Sequence, residues 1–475
     1  MAPIKENFTR RSFIKTTGVA AAGSLMVTPA FSSMMKGAGG KQKVALVGTG
    51  SRGTSLYGKF LLEEYGDMVE FVGLCDINPG RVKYAQDLLG VNCNTYTDFD
   101  KMLDKEDIDM LMVTTVDSTH DEFIIKGLDK NINVVTEKPM TTDEKKCQAI
   151  IDAQRRSKGK LIMAFNYRYG QVFTKLKDMI AQKEVGDLVS VDLNWYLNTY
   201  HGADYFRRWH GLREKGGTLL LHKSAHHFDL LNWFIGSDPL EVHAYGALEK
   251  YGKNNSFRGD NCRSCDFTDQ CEFYWDITKK ERYMKMYVEN EKYDGYERDN
   301  CLYREEIDIF DKMVVQIKYA NNVQVSYSLT TYSPFEGFRI AFNGKDGRLE
   351  TYEGIPWRVA GAEEDQSKIH DKEMDQSSHT REKTKYHEIV SQRNFEDYKR
   401  IEFPYVRSGH WGGDKLMFDE IFRGKNSFDL NHAANVRDGS MAVLIGIAAR
   451  ISIDEGRAVK IADLTDLIPK TNKWG

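Results

Sequence analysis

Residues 222–229, HKSAHHFD, bring three of the chain's twelve histidines and an aspartate into two helical turns. On a helix His222 and His226 are four apart and share a face, as do His226 and Asp229, whereas His227 is turned about 100° away. An imidazole titrates near neutral pH, so His226 on that face could take or return a proton, with His222 orienting it or holding a hydroxyl. A pair spaced i, i+4 also suits a divalent metal, with His410 and Asp414 of SGHWGGDK as distant further ligands. A third reading makes the imidazoles satisfied core groups. His227 is read as structural, and Lys223 is placed to pair with a carboxylate or reach a substrate. The choice depends on what the remaining elements build around this face.

Those elements begin with KVALVGTGSRG. Lys43 to Val47 reads as a buried strand, Gly48, Thr49, Gly50, Ser51, Arg52 and Gly53 as a tight turn, and Leu56, Phe60 and Leu61 as the core face of a helix. Glycines at those places permit the turn, let backbone amides approach a pyrophosphate, and let helix and strand pack closely. A second strand, VEFVGLCD, ends in Asp76 at the distance expected of a carboxylate that accepts from both ribose hydroxyls of NAD and repels the 2′-phosphate of NADP. This favours NAD, although Arg52 and Arg81 could still accommodate a phosphate. IDMLMVTTV, a helix from about Thr119, NINVVTEKP, a helix from about Asp143 and KLIMAFN continue the alternation. The pattern predicts a parallel, doubly wound sheet with ligands at its carboxyl edge, where Thr114, Thr115, Glu137, Lys138 and Asn166 fall. Polar residues there are often helix caps, but Pro139 stiffens the turn that presents Lys138.

After NYRYG the character changes. LVSVDLNWYL, EVHAYG, MVVQIKYA, VQVSYSLTTY and FRIAFNGKDGRLETYE are strand-like, with ANN and NGKDG as turns. They predict an open, mainly antiparallel sheet. The expected fold is therefore α/β plus α+β: an export signal over 1–33, a Rossmann domain over 41–165, and a substrate and oligomerisation domain over 166–475.

Gly48 to Gly53, Asp76, the TTVDSTH run ending in His120, the EKP of Glu137 to Pro139, and the NYR of Asn166 to Arg168 together resemble the glucose–fructose oxidoreductase and inositol dehydrogenase (Gfo/Idh/MocA) family, over nearly the whole mature chain. The resemblance implies that Lys138 contacts the nicotinamide end of NAD and the reacting carbinol. It also implies cofactor contacts from Gly48, Gly50, Ser51, Arg52, Gly53, Asp76, Thr115, His120, Glu137, Asn166 and Arg168. GGTLLLHKSAHHFDL is similar to the family segment whose aspartate and histidine flank the substrate. Aligning Asp229 places the catalytic-type histidine at His226 and puts His222 where an aspartate is usual. The implied activity is NAD-dependent oxidation of a secondary alcohol of a sugar, glycoside or cyclitol. Transient oxidation, elimination and re-reduction by an NAD-dependent glycosidase is the alternative. The family's open second sheet implies a homo-oligomer and a sugar pocket at the domain junction.

Four of the seven cysteines, Cys262, Cys265, Cys271 and Cys301, fall in an insertion at about 252–305. Their C-x2-C-x5-C spacing with a distant fourth suits a structural zinc; two disulfides or an iron–sulfur cluster are the other readings. Cys75, Cys93 and Cys147 read as buried thiols. Gly361 to Lys399 is polar and charged and reads as a long surface loop with short helical pieces; a last helix is expected within Asn435 to Ile451.

A chain of 475 residues with net charge -4 is long enough for two cores and lacks the basic excess of a nucleic-acid surface. Small molecules, here a carbohydrate, are the default partner. Thr9, Arg10, Arg11, Ser12, Phe13, Ile14 and Lys15, followed by a short Ala- and Gly-rich apolar stretch, read as a twin-arginine export signal to the periplasm, with cleavage near Ala30. No later apolar run approaches membrane-spanning length.

Overall fold

A computed structural model describes residues 40–354, 386–405, 412–424 and 430–474. Six strands, β1 (Gln42–Val47), β2 (Val69–Cys75), β3 (Asn94–Tyr96), β4 (Met110–Val113), β5 (Asn133–Thr136) and β6 (Leu161–Met163), form a parallel sheet in the order β3-β2-β1-β4-β5-β6. Val44 to Val47 and Met110 to Val113 are buried along their whole length, as expected for central strands covered on both faces. Val47 pairs with both Cys75 and Val113, so β1, β2 and β4 end level and their following turns open on one edge. The strand order reverses between β1 and β4, which sets a crevice at that edge. Local chemistry starts the helices there. The Asn78 side chain accepts from Arg81 N–H ahead of the helix Pro79–Leu89, and Asp143 caps Glu144–Arg156 in the same way.

The second sheet has nine strands: β7 (Leu188–Asn198), β8 (Pro239–Ala247), β9 (Lys312–Tyr319), β10 (Gln324–Ser333), β11 (Gly337–Gly344), β12 (Gly347–Glu353), β13 (Tyr386–Arg393), β14 (Lys399–Pro404) and β15 (Val459–Lys460). Their order is β14-β13-β12-β11-β7-β10-β9-β8-β15. β7 and β10 run parallel and the other neighbours antiparallel. Alternation gives the sheet two unlike faces. β9 buries Met313, Val315, Ile317 and Tyr319 and exposes Lys312, Val314, Gln316 and Lys318. The helices Ser224–Ile235 and Val436–Glu455 pack together, and Val436–Glu455 contacts both β8 and the Rossmann helix Glu144–Arg156. It therefore ties the halves together. Asn435 and Asp438 form a capping box at its start.

Two expectations change. The charged stretch read as a surface loop contains β13 from Tyr386 onward and the turn that leads into β14 at Lys399; its residues 361–385 lie outside the described residues. Inward positions of β13 are His387, Ile389 and Ser391, and His387 Nδ1 lies 2.8 Å from Glu353 Oε1. Polar inward residues hide the apolar alternation by which a strand is read. The insertion at 252–305, expected to be ordered by its four cysteines, builds its own small core from Trp275, Ile277, Tyr283, Met286 and Tyr287. No helix among the described residues is long and apolar enough to cross a membrane.

Candidate active site

At the end of β1, Gly48 has φ +91°, and a Cβ there would lie 2.6 Å from the Thr114 carbonyl. A Cβ at Gly53 would lie 2.1 Å from the Gly48 oxygen. These two glycines are required by backbone contact. Gly50 is not crowded in this way: a Cβ there would first meet the Tyr287 hydroxyl, at 3.7 Å. The turn thus has the shape of a phosphate cradle, closed beneath by two glycines and open at the middle one. Asp76, at the end of β2, accepts from Thr49 N–H at 2.8 Å and Asn78 N–H at 3.0 Å. Asn166 is fully buried, and its Oδ1 has no hydrogen-bond partner among the described residues. Cradle, strand-end carboxylate and unfilled acceptor fit a dinucleotide along this edge.

Glu137 organises the next turn. Its Oε1 accepts from Arg52 Nε at 2.6 Å and from the Tyr57 hydroxyl at 3.1 Å, and its Oε2 accepts from Lys138 N–H at 3.2 Å. Burial alone would push this carboxyl up, but Arg52 and Lys138 outweigh it and hold Glu137 below the ordinary range. Asp414 completes the network, accepting from Arg52 at 3.3 Å and Asn166 at 2.7 Å. His120 bridges two turns, with Nδ1 2.8 Å from the Pro139 oxygen and Nε2 3.2 Å from the Thr115 oxygen.

Lys138 projects from this scaffold onto HKSAHHFD. Its Nζ lies 3.3 Å from His222 Nε2 and donates to the His222 carbonyl at 3.2 Å. On the far side of the ring, His222 Nδ1 lies 2.6 Å from Asp117 Oδ2. Burial pushes Lys138 down to about 8, against the opposing pull of Glu137 and Asp117. Burial also pushes His222 well below its ordinary value, with His210 and Lys138 adding to the effect, and pushes the Asp117 carboxyl up. The arrangement is an imidazole between an acid that is easily protonated and an amine that is easily deprotonated. It can move a proton.

Several expected residues are placed differently. His226 lies flat on Tyr167, with ring centroids 4.1 Å and planes 4° apart, and meets the edge of Phe165. The contact with Lys138 is made by His222. Arg168, expected at the cofactor, is enclosed: its guanidinium binds Asp229 at 2.5 and 2.8 Å and Asp438 at 3.1 Å. That commitment corrects its assignment to the cofactor contacts. His227 is structural as expected, stacked on Trp195 with Nδ1 2.8 Å from the Tyr327 hydroxyl. Lys223 reaches the Tyr167 hydroxyl at 3.1 Å. Among the described residues no three His, Cys, Asp or Glu side chains are grouped to hold a metal ion. The described residues therefore give no support to the His222–His226 metal or to a structural zinc on Cys262, Cys265, Cys271 and Cys301. Asp414 belongs instead to the Arg52 network, and His410 lies outside the described residues.

Three contributions were not read from the sequence. Asp117 stands inside TTVDSTH, immediately past β4, so its strand-end position was the available signal. Tyr167 is part of the NYR element, yet it stacks on His226, which arrives from a later segment of the chain. The insertion also reaches the cofactor cradle. The Tyr287 hydroxyl accepts from Ser51 N–H at 3.0 Å, Arg282 donates to Ser51 Oγ at 2.9 Å and Ser55 Oγ at 2.6 Å, and Asn290 O accepts from Asn78 Nδ2 at 2.9 Å. No local pattern announces contacts made more than two hundred residues apart.

Comparison with known proteins agrees with this geometry. The model of an oxidoreductase family's NAD-binding Rossmann fold matches residues 42–165, and that of the same family's C-terminal alpha/beta domain matches residues 177–461. The chain belongs to the Gfo/Idh/MocA oxidoreductase family. Within it, the Bacillus subtilis (strain 168) protein YteT, which bears an oxidoreductase name, is 33% identical over 444 residues, covering 89% of this chain and 98% of its own. An inositol 2-dehydrogenase of Salmonella paratyphi B is 24% identical over 204 residues, 43% of this chain and 57% of that enzyme. Among solved structures, the WlbA dehydrogenase of Bordetella pertussis, in complex with NADH and UDP-GlcNAcA, superposes with a TM-score of 0.58 at 18% identity, covering 88% of this chain and 98% of that one. This Gfo/Idh/MocA member is thus an oxidoreductase with a nicotinamide-dinucleotide Rossmann domain and a nine-stranded partner sheet.

Proposed function

We propose that the chain oxidises a secondary alcohol of a sugar, glycoside or cyclitol with NAD, and that the cofactor is held tightly between turnovers. The observation that carries this reading is the line Asp117, His222, Lys138 at the carboxyl edge of the sheet that bears the glycine cradle. Bound nicotinamide supplies the hydride acceptor. The chain's own residues handle the proton. With Lys138 near 8, roughly a tenth of it is the neutral amine at pH 7, able to take the carbinol proton. The resulting ammonium donates toward His222 Nε2 while Nδ1 delivers its own proton to Asp117. The ring stays neutral, as its burial requires, and one proton is displaced across it. In the reductive direction the same line runs backward.

The choice of NAD is supported by the two arginines that could have held a 2′-phosphate. Arg52 is paired with Glu137 and Asp414, and Arg81 with Asp76 at 3.1 Å and Asp294 at 2.5 Å. Tight retention is supported by Arg282 and Tyr287 standing over the cradle. It also suits a protein that the Thr9 to Lys15 signal would send, already folded, to a periplasm poor in nicotinamide cofactor. The carbohydrate or cyclitol class is supported by the named activities of the relatives. The exposed, paired Tyr245 and Val314 on the outer face of the second sheet support a homo-oligomer, which light scattering would measure.

Purified protein should release NAD or NADH near one equivalent per chain, identified by mass spectrometry, and the bound NAD should be reduced by one or more members of a sugar and cyclitol panel. Protein without dinucleotide that neither binds NAD nor turns over any member would overturn the proposal. Export is checked by fractionation: replacing Arg10 and Arg11 with lysine should retain the protein in the cytoplasm.

A further inference from the structure

The helix Thr199–Arg207 and the turn that follows it wall one side of the line Asp117, His222, Lys138. Tyr205 and His210 meet the His222 ring edge-on, with centroids 5.4 and 4.0 Å away, and Trp209 stacks on His210 at 3.5 Å. Arg208 packs on the same wall, its guanidinium carbon 5.5 Å from the centre of the Tyr205 ring. Its Nε meets Asp204 Oδ2 at 3.0 Å, and the other oxygen of Asp204 accepts from Arg298 Nη2 at 2.8 Å. One carboxylate thus serves two guanidiniums. Two guanidiniums carry about ten N–H groups and one carboxylate about four acceptor positions, so the pair is short of acceptors. The shortage is visible atom by atom. Arg298 Nη1 is enclosed without a hydrogen-bond partner among the described residues, and the hydrogen bonds of Arg208 there run through Nε alone. Arg207, the third arginine of the wall, is turned to Cys262 Sγ and the Phe273 carbonyl.

The two unsatisfied arginines differ in access. Arg298 is almost wholly buried and packs on the Trp275 and Tyr283 rings, whereas the Arg208 side chain is 16% exposed and is the member that reaches open space. Its charge faces the reacting line: it acts on Asp117 and on His222. It also acts on His210, whose Nδ1 is enclosed without a partner among the described residues, and which burial, Arg208, Lys138 and Arg298 together hold well below its ordinary value. Cations surround a ring that stays neutral, and what is lacking is an anion. We infer that Arg208 binds the carboxylate of an acidic sugar, so that the substrate is a uronic acid or its glycoside. The inference rests on the oxidoreductase reading of Asp117, His222 and Lys138. Anchoring through Nε leaves both Nη atoms of Arg208 for the ligand, and a planar carboxylate matches such a pair with its two oxygens. Charge decides against a sugar phosphate. Asp204 leaves one cation of the pair over, which one carboxylate balances, whereas a phosphate monoester brings about 1.5 to 2 negative charges.

The test is turnover, by the full chain loaded with NAD, of matched acids and neutral sugars: glucuronate against glucose, galacturonate against galactose, and the methyl glycosides of each. The acids should be preferred in kcat/KM by about 10- to 100-fold, the scale of a charge-assisted pair. Arg208→Gln should raise KM for the acids by a similar factor, so that the ratio of acid to neutral sugar falls toward one. Neutral sugars turned over as well as their acids, or glucose 6-phosphate preferred to glucuronate, would overturn the assignment. So would an Arg208→Gln protein that loses NAD while keeping its preference for acids, because the arginine would then serve the cofactor. Should that variant not fold, the preference of the parent protein decides by itself, and Arg208→Lys, which keeps the charge without the two-point contact, should lose part of it. Failure of the oxidoreductase reading is distinguishable. If no sugar of the panel is turned over, glucuronate or galacturonate should still raise the Tm of the NAD-loaded protein where glucose and galactose do not. No such rise would overturn the carboxylate subsite as well.

Discussion

HKSAHHFD contributes to two buried charge clusters that use the same residue types to opposite ends. Its first residue, His222, joins Asp117 and Lys138. Its last, Asp229, joins Arg168, Asp438 and Lys473. In the second cluster two cations meet two carboxylates, and all four side chains are at most 3% exposed. Charge there is balanced and sealed. In the first, one carboxylate and one amine are separated by an imidazole, and Lys138 keeps partial exposure. Burial in the open cluster brings Lys138 near working pH. In the sealed one burial lifts Asp229 to about 6 against Arg168, while Lys473 and Arg168 outweigh burial at Asp438 and hold it low, and no imidazole links these groups into a proton path. Chemistry is placed where such a path exists.

The contrast is broken most severely at Lys138. Lys138→Met should lower the oxidation rate by about 10²- to 10⁴-fold, the scale of a lost general base. Its stability should move the other way. The folded pKa, about 8, lies below the ordinary 10.5, so burying the ammonium costs stability at neutral pH and the cost disappears as pH rises from 8 toward 10.5. Denaturant titration at pH 7 should find the variant as stable as the parent or more so, by up to about 3 kcal/mol. A stable but inactive protein is the signature of the open cluster, and a variant that unfolds would make Lys138 a structural residue.

The sealed cluster should behave in reverse. Arg168→Met strands Asp229 and Asp438 with only Lys473, at a cost of about 3–5 kcal/mol, visible as a large fall in Tm. Replacing Arg168 and Asp229 together by apolar residues leaves Asp438 paired with Lys473 and should recover much of that loss. A double variant no better than the single one would show that the pair does more than neutralise itself.

How much of this was legible in the sequence follows the range of each interaction. The glycine turn, Asp76 and Lys138 were readable because cradle and strand ends are local features of a βα unit. Most strands of both sheets were readable from apolar runs or period, but β3, β13, β14 and β15 were not: β3 and β15 are two or three residues long, and the inward His387 and Ser391 of β13 are polar. Arg168 was misread because its type and its NYR context suit a cofactor equally well, and only the meeting with Asp229 and Asp438 shows where its charge is spent. Asp117 was overlooked for the opposite reason: an aspartate past a strand looks like a cap until His222 arrives from a chain segment a hundred residues away.

A milder break is Asp117→Asn, which keeps the hydrogen bond to His222 but removes the site that receives the relayed proton. Oxidation should slow by roughly tenfold, a fraction of a full general-base effect. The pH profile distinguishes this from general damage. In the parent, oxidation should rise as Lys138 loses its proton through about pH 8, and reduction should fall over the same range. Removing the neighbouring carboxylate withdraws a charge that favours the ammonium, so both limbs should move to lower pH. A slower enzyme with an unmoved profile would leave Asp117 outside the proton path.

The smallest effect is expected at the cradle, where the question is whether the insertion retains cofactor or merely lies beside it. Arg282→Ala removes the donor to Ser51 and Ser55 while leaving the insertion docked through Asn290. Release of NAD should accelerate roughly five- to tenfold, about 1–1.5 kcal/mol for a charged hydrogen bond, with turnover at saturating NAD unchanged. Gly80→Ala acts on the docking itself. A Cβ at Gly80 would lie 1.7 Å from Asn290 Oδ1, so the Asn290 side chain must turn aside or lift from the helix Pro79–Leu89. If the insertion is a strap, this displacement should speed release at least as much as Arg282→Ala, although it touches no group at the cradle. Release slowed by neither substitution would mean that the Rossmann half alone sets cofactor affinity, and that Arg282 and Tyr287 cover the cradle without holding what lies in it.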